Sequence, residues 1–298
     1  MISPRRRNTV IRTGRAITSP SLYPSCKTVT AYWWDYQRNF GDLITFELLR
    51  RHGVALLRKP PSMAQLFGVG SIVDVIPDSF SGWVWGSGLM MAGSKSLPRA
   101  KVIGVRGLLT ADSLGLPQDK AIGDPGLLMP DYFPRPKKRY RLGVALHSSH
   151  RATVRLERLR DQRGVLFIDA GRYPSRVCRE IAQCDAILAT SLHGLIVADA
   201  YGIPAAWALP DPVLSGGNFK FRDYESLLAP HSDIGNRRVV IEPGTQASGV
   251  LRQVAAVDGA RLESVKHGLR SSLQSLVALL PGPLTFPFML PYLQHRTR

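Results

Sequence analysis

The chain has 298 residues, 44% of them hydrophobic, enough to bury a real core in one large domain or two smaller ones. No run of about eighteen apolar residues occurs, which excludes a membrane-spanning helix, and the basic N-terminus lacks the apolar stretch of a secretory signal. Lysine and arginine outnumber aspartate and glutamate by 39 to 22, and the formal charge of +17 attracts polyanions: nucleic acid, anionic lipid or phosphorylated substrates.

In chain order, Arg5, Arg6, Arg7, Arg12, Arg15 and Lys27 all precede the first acid, Asp35, so residues 1–20 read as a basic, disordered tail. "TVTAYWW" follows as a strand of β-branched and aromatic residues, then the loop "DYQRNFGD". "LITFELLRRHG" predicts a helix with Asp42 near its N-cap and Gly53 at its stop, completing a βα unit. "FGVGSIVD" comes next, and "GWVWGSGLMMAG" reads as a short strand running into a glycine-rich loop. "KVIGVRGLLTADSLGLP" gives a strand and a helix, and "AIGDPGLLMP" a strand end with a turn. The proline-broken, charged "DYFPRPKKR" separates a first domain, residues 21–135, from a second, residues 136–298.

The pattern then restarts. "YRLGVALH" and "RGVLFIDAG" read as strands, "YPSRVCREIAQC" as a helix and "DAILATS" as a third strand. "GLIVADAYG" is a buried helix, and "IPAAWALP" a fourth strand. Near the C-terminus, Leu262, Val265, Leu269, Leu273, Leu276 and Leu280 mark an amphipathic helix packing on the body, followed by the proline-broken "PLTFPFMLPYLQHRTR". Strands alternating with helices in each half predict two α/β domains with largely parallel sheets.

In such sheets ligands collect beyond the carboxyl ends of the strands. Four loops fall there: "RNFGD", "GSG" at Gly86–Gly88, "HSSH" at His147–His150 and "TSLHG" at Thr190–Gly194. His193 lies at a strand-to-helix turn that should bring its ring to the rim, where an imidazole can bind an anion or transfer a proton. The alternative is a histidine that caps its helix or satisfies backbone carbonyls. Asp42 has a plain alternative as a helix cap, while Asn39 and Gly41 beside it leave room for a ligand hydroxyl. Cys26, Cys178 and Cys184 have no metal-ligand spacing and suit a reducing compartment; HSSH lacks a third ligand, and no Asp-x-Asp occurs, so no metal site is expected. The basic stretch Arg135–Arg160 contains one acid, Glu157, and reads equally as a phosphate-binding surface or a solvated face.

The ordered set "NFGDLITFELLRR", "WGSGL", "VRGLLTADSLGLP", "GDPGLLMP", "TSLHGLIVADAYGIPAAWA" and "FKFRDYESLL" resembles the polysaccharide pyruvyl transferases, particularly the succinoglycan type, from about Thr28 to Leu228. The resemblance implies two Rossmann-like domains facing a cleft in the glycosyltransferase-B manner. It implies transfer of the three-carbon unit of phosphoenolpyruvate to two hydroxyls of one sugar, giving a pyruvate ketal and phosphate without a cofactor. His193 matches the family's general acid, and Gly194 completes that motif. Many relatives carry arginine where this chain has Ser191, and a Pro-His motif where it has Leu146 and His147. His147, Arg151, Lys220 and Arg106, together with Ser191 and Gly194 of the motif, are then nominated as donor contacts; the charged ones have ordinary alternatives, Lys220 and Arg151 as surface charges and Arg106 in a pair with Asp124. Asn39 and Asp42 would face the acceptor, with Tyr32, Trp33 and Trp34 as a stacking surface or as core; Asp223 and Tyr224 would support the cleft.

A cytoplasmic enzyme acting on lipid-linked oligosaccharide is the resulting expectation, with the tail as a candidate for peripheral contact with an anionic membrane and no specific nucleic-acid partner. The competing readings are a glycosyltransferase of the same build using a nucleotide-sugar, and a non-catalytic polyanion binder.

Overall fold

The computed structural model describes residues 27–36 and 39–281. The basic tail and the final "PLTFPFMLPYLQHRTR" segment lie outside the described residues, as does Cys26.

Two parallel sheets organise the chain. The first is built from β1 (Lys27–Tyr32), β2 (Val54–Arg58), β3 (Leu66–Phe67), β4 (Trp83–Ser87) and β5 (Lys101–Val105), in the order β2-β1-β3-β4-β5. The second contains β6 (Tyr140–Leu146), β7 (Val165–Asp169), β8 (Cys184–Ala189) and β9 (Ala205–Trp207), in the order β7-β6-β8-β9. Every ladder between these strands is parallel. Central strands of such sheets are covered on both faces and therefore read as apolar runs; β6 and β8 are buried over nearly their whole length.

The helices are α1 (Ile44–Arg50), α2 (Leu108–Ser113), α3 (Glu157–Arg160), α4 (Pro174–Ala182), α5 (Leu192–Ala200), α6 (Phe219–Glu225), α7 (Ala247–Leu251) and α8 (Gly259–Leu279). All nine residues of α5 are buried, the condition of a helix that is apolar all round. It is wedged between its own sheet and the 3-10 helix Pro125–Asp131 of the first half. That 3-10 helix replaces the turn expected in "AIGDPGLLMP". Pro125 supplies a preset φ at its start, and the Asp124 carboxylate accepts the Gly126 N–H at 2.8 Å as its cap. Gly126 lets the 3-10 helix approach Ile196 of α5 and Ile44 of α1, both of which a Cβ there would crowd.

A shared core results. One hydrophobic cluster holds Phe40, Ile44, Leu127 and Met129 of the first half with Ile168, Leu195 and Ile196 of the second. The chain's return strengthens the join. Helix α8, capped by Asp258, packs Leu262, Leu269, Leu273 and Leu276 inward, and reaches back to the first sheet. There Trp85 Nε1 donates to Ser272 Oγ at 2.9 Å, and Arg270 forms a two-pronged pair with Asp131.

Both strand orders reverse direction beside the first strand of their sheet: between β1 and β3, and between β6 and β8. At such a switch point the two flanking loops diverge and leave a crevice at the carboxyl ends of the strands. Asn39–Asp42 follow β1, Gly68–Ile72 follow β3, His147 follows β6 and Thr190–Gly194 follow β8.

Candidate functional site

The two crevices meet. Phe40 N–H donates to Ala170 O at 2.7 Å, which sets the loop after β1 against the end of β7. The His193 ring lies directly on Gly41: a Cβ there would stand 1.8 Å from His193 Nδ1. Only glycine allows that approach. The ring meets Phe40 edge-on, with centroids 6.1 Å apart, and its Nε2 is 3.7 Å from Asp124 Oδ2.

His193 does not cap its helix. Ser191 does, its Oγ accepting the Gly194 N–H at 3.1 Å, which leaves the imidazole without capping duty. The ring is also less open than a rim position implies, with the residue only 6% exposed, because the first half covers it. Ser191 and Gly194 are thus engaged with each other, and Gly194 brings α5 close to β6, where a Cβ would meet Ala145.

Asp42 sits in the first turn of the 3-10 helix Gly41–Leu43; the cap positions of that helix and of α1 are Phe40 and Leu43. The Asp42 carboxylate is buried beside Gly70, and its negative charge is felt at Lys220. Asn39 Oδ1 accepts the Gly41 N–H at 3.1 Å and so shapes the loop that receives His193. Lys220, on α6, is buried; desolvation and the nearby Arg106 push its ammonium down to about 8, while Asp42 opposes the shift. It is a cation held in a dry place within the field of an acid, far from the solvated surface charge that its sequence context allowed.

His147 N–H donates to Thr190 Oγ1, tying the β6 loop to the β8 loop. Its Nδ1 accepts from Ser149 N–H, so the neutral ring carries its proton on Nε2. Burial, then Lys220, His150, Arg151 and His193, lower its titration to about 4. At neutral pH His147 offers a hydrogen bond instead of a charge. Arg151 is half exposed at the rim and paired with Asp169 at 2.7 Å.

Arg106 pairs with Asp223, not with Asp124. Its Nε is 2.8 Å from Asp223 Oδ2, Nη1 donates to Ser71 Oγ and Nη2 to Leu89 O. Both partners of the pair are fully buried. Asp223 also accepts from the Thr110 N–H and hydroxyl, and its backbone oxygen lies where a Cβ of Gly107 would be. Arg106 therefore locks the halves together and bears on the site through its field at Lys220. Tyr224 is a support as well, donating to Asp199 in a buried network with Arg237 and Glu225.

Of the aromatic run, Tyr32 and Trp33 are core. Trp34 is 43% exposed and lies against Tyr36, ring centroids 4.6 Å apart, close in sequence to Asn39. Among the described residues no group of three or more His, Cys, Asp or Glu could hold a metal ion, and no helix is long and apolar enough to cross a membrane. A cavity of about 340 Å³ lined by Pro130, Arg135, Tyr201 and Lys266 lies at the other end of α5. Nearer the titratable cluster, Gly216 places the segment after β9 against Met90 O of the first half.

Two residues that pack against His193 escaped the sequence reading. Asp124 was visible only as a partner for Arg106, and Gly41 only as an open spot in a loop. The signal for Asp124 was its place directly after the strand-like "KVIGV…AIG" segment, before a proline.

Residues 36–211 match the family model described as polysaccharide pyruvyl transferase. A comparison with curated proteins gave no match. The matched span exceeds half of the chain and holds both switch-point loops, with Lys220 and Asp223 beyond its end. Sheet order, the meeting of those loops over His193, and this match converge: the chain belongs to the polysaccharide pyruvyl transferase family, a family of transferases.

Proposed function

We propose that this chain transfers the pyruvyl unit of phosphoenolpyruvate to two hydroxyls of one sugar in a polysaccharide repeat unit, forming a ketal and releasing phosphate. The observation that carries the proposal is the convergence at one seam of an imidazole, His193, a buried ammonium, Lys220, and a buried carboxylate, Asp42. Each step of the reaction calls for one of these kinds of group. Protonation of the donor methylene needs an acid, and His193 delivers a proton there, turning CH2 into CH3 and making the central carbon electrophilic. The first sugar hydroxyl adds to that carbon and gives up its proton. The second hydroxyl then displaces phosphate, which leaves with the remaining hydrogen. One hydroxyl proton restores the acid and the other departs on phosphate, so the balance closes.

Lys220 is the main cation for the donor, the part that Ser191 leaves open. A dry ammonium interacts with phosphate more strongly than a solvated one, and its lowered proton affinity measures the cost of keeping it there before the donor arrives. His147 donates from Nε2, and Arg151 at the rim attracts the incoming anion. Asp42 and Asn39 face the acceptor, with Trp34 and Tyr36 as its stacking surface.

The test is an assay with phosphoenolpyruvate and lipid-linked oligosaccharide, reading phosphate release and product mass. A sugar product heavier by one ketal-bound pyruvate is expected. Release of a nucleotide from a nucleotide-sugar, with no use of phosphoenolpyruvate, would replace this reading by glycosyl transfer.

A further inference from the structure

Two polar atoms at the centre of the seam have no hydrogen-bond partner: Asp124 Oδ2 and His193 Nε2, both buried. They face each other at 3.7 Å, too far for a hydrogen bond and near enough for an ion pair. A buried polar atom left without any partner is costly. A proton on Nε2 puts positive charge opposite the carboxylate, so the two groups compensate each other as an ion pair.

Everything around the two groups fixes their orientation. The other oxygen of Asp124 is committed to Gly126 N–H at 2.8 Å, so the carboxylate cannot turn freely. The imidazole is held edge-on by Phe40 and seated on Gly41, whose missing side chain makes room for the Nδ1 edge. One nitrogen thus points at an acid buried in the first half, and the other at the Asn39–Asp42 loop.

We propose that Asp124 is the positioning carboxylate of His193: it holds the proton on Nε2 and leaves Nδ1, the nitrogen over Gly41, to exchange the proton with substrate. The identity of that substrate rests on the pyruvyl-transfer reading, whereas the pairing of Asp124 with Nε2 stands on the geometry alone. In the transfer, the Nδ1 proton passes to the donor methylene and the Nε2 proton stays on the Asp124 side. Asp124 touches no reacting atom. It fixes which nitrogen works and where the ring stands, as the buried aspartate of a hydrolase triad does for its histidine.

Asp124→Asn separates this role from a structural one. Its amide oxygen still caps Gly126, while its NH2 now faces Nε2 and demands an acceptor, which forces the proton onto Nδ1. The expected result is a folded protein whose kcat falls by about a thousandfold or more, with little change in donor KM. Adding Asp124→Asn to His193→Gln should cost nothing further, because the two act as a unit. The decisive measurement needs no activity: nitrogen NMR of the histidine-labelled chain, titrated to the neutral imidazole. The proton is expected on Nε2 of His193 in the native chain and on Nδ1 in Asp124→Asn. A native Nδ1–H ring, or a folded Asp124→Asn with full kcat, overturns the proposal. If the native chain shows the Nε2–H ring but makes no pyruvylated sugar, the positioning role stands and the pyruvyl-transfer reading fails.

Discussion

At the scale of single residues, the site depends on groups whose surroundings alter their ordinary chemistry. His193→Gln keeps a side chain of similar shape that cannot act as an acid, so turnover is expected to fall about 100- to 10,000-fold with an unchanged melting temperature. A folded His193→Gln enzyme with native turnover would remove the acid from the scheme. Lys220 gives a pH signature. Its proton leaves at about 8 in the free enzyme, and the protonated form is the one that holds an anion. Loss of this cation should therefore contribute a decline in donor kcat/KM as pH rises through about 8, in addition to the loss of the His193 acid. Lys220→Arg keeps its charge across this range, so its profile should lose the lysine's share of the alkaline decline. Trp34→Ala should raise the acceptor KM and leave the donor KM alone, since only the exposed ring of the aromatic run is available for stacking.

Elements enter through how closely they can approach. Glycines mark the contacts between the halves: Gly41 beneath His193, Gly107 against the backbone of Asp223, and Gly216 against Met90. Gly41→Ala would drive a methyl group into the imidazole, so the ring or the loop after β1 must shift. Turnover close to that of His193→Gln is expected, at a stability cost of about 1–3 kcal/mol seen in denaturant unfolding. Native turnover in Gly41→Ala would show that the ring works from another position. Helix α5 shows how an element reassigns roles within a motif. With Ser191 at the cap, Thr190 bonded to the His147 backbone and Gly194 packed on β6, the histidine is the one member of "TSLHG" left for chemistry.

For the whole molecule, the consequence is unity. The halves share one apolar cluster, α8 returns to the first sheet, and a fully buried ion pair, Arg106 with Asp223, bridges them. Calorimetry should show one unfolding transition, whereas two separate transitions would mean that the halves fold independently. Removing one side of the buried pair, as in Asp223→Ala, leaves an uncompensated charge and should cost about 3–5 kcal/mol. A double replacement by apolar residues should cost less, because the desolvation penalty goes with the charges. The sequence could not show this pair: its members are 117 positions apart, and nothing local distinguishes Asp223 from Asp124 as a partner for Arg106.

Local physics determined a good deal. Apolar runs of strand length alternating with helical patterns require parallel sheets, because chain direction and burial on both faces leave few other arrangements. The same runs place the loops "RNFGD", "HSSH" and "TSLHG" at strand ends, where chemistry collects. Other features were beyond it. Pro125 and Pro130 hid a 3-10 helix, whose cap depends on the Asp124 side chain turning back to Gly126. The burial of His193, the cap on Ser191, the dry setting of Lys220 and the orphaned carboxylate of Asp124 all arise where one half covers the other. Sequence fixes periodicity, and periodicity is a property of neighbours along the chain. Which side chain faces which across the seam is settled only by three-dimensional packing, and proton transfer depends on that.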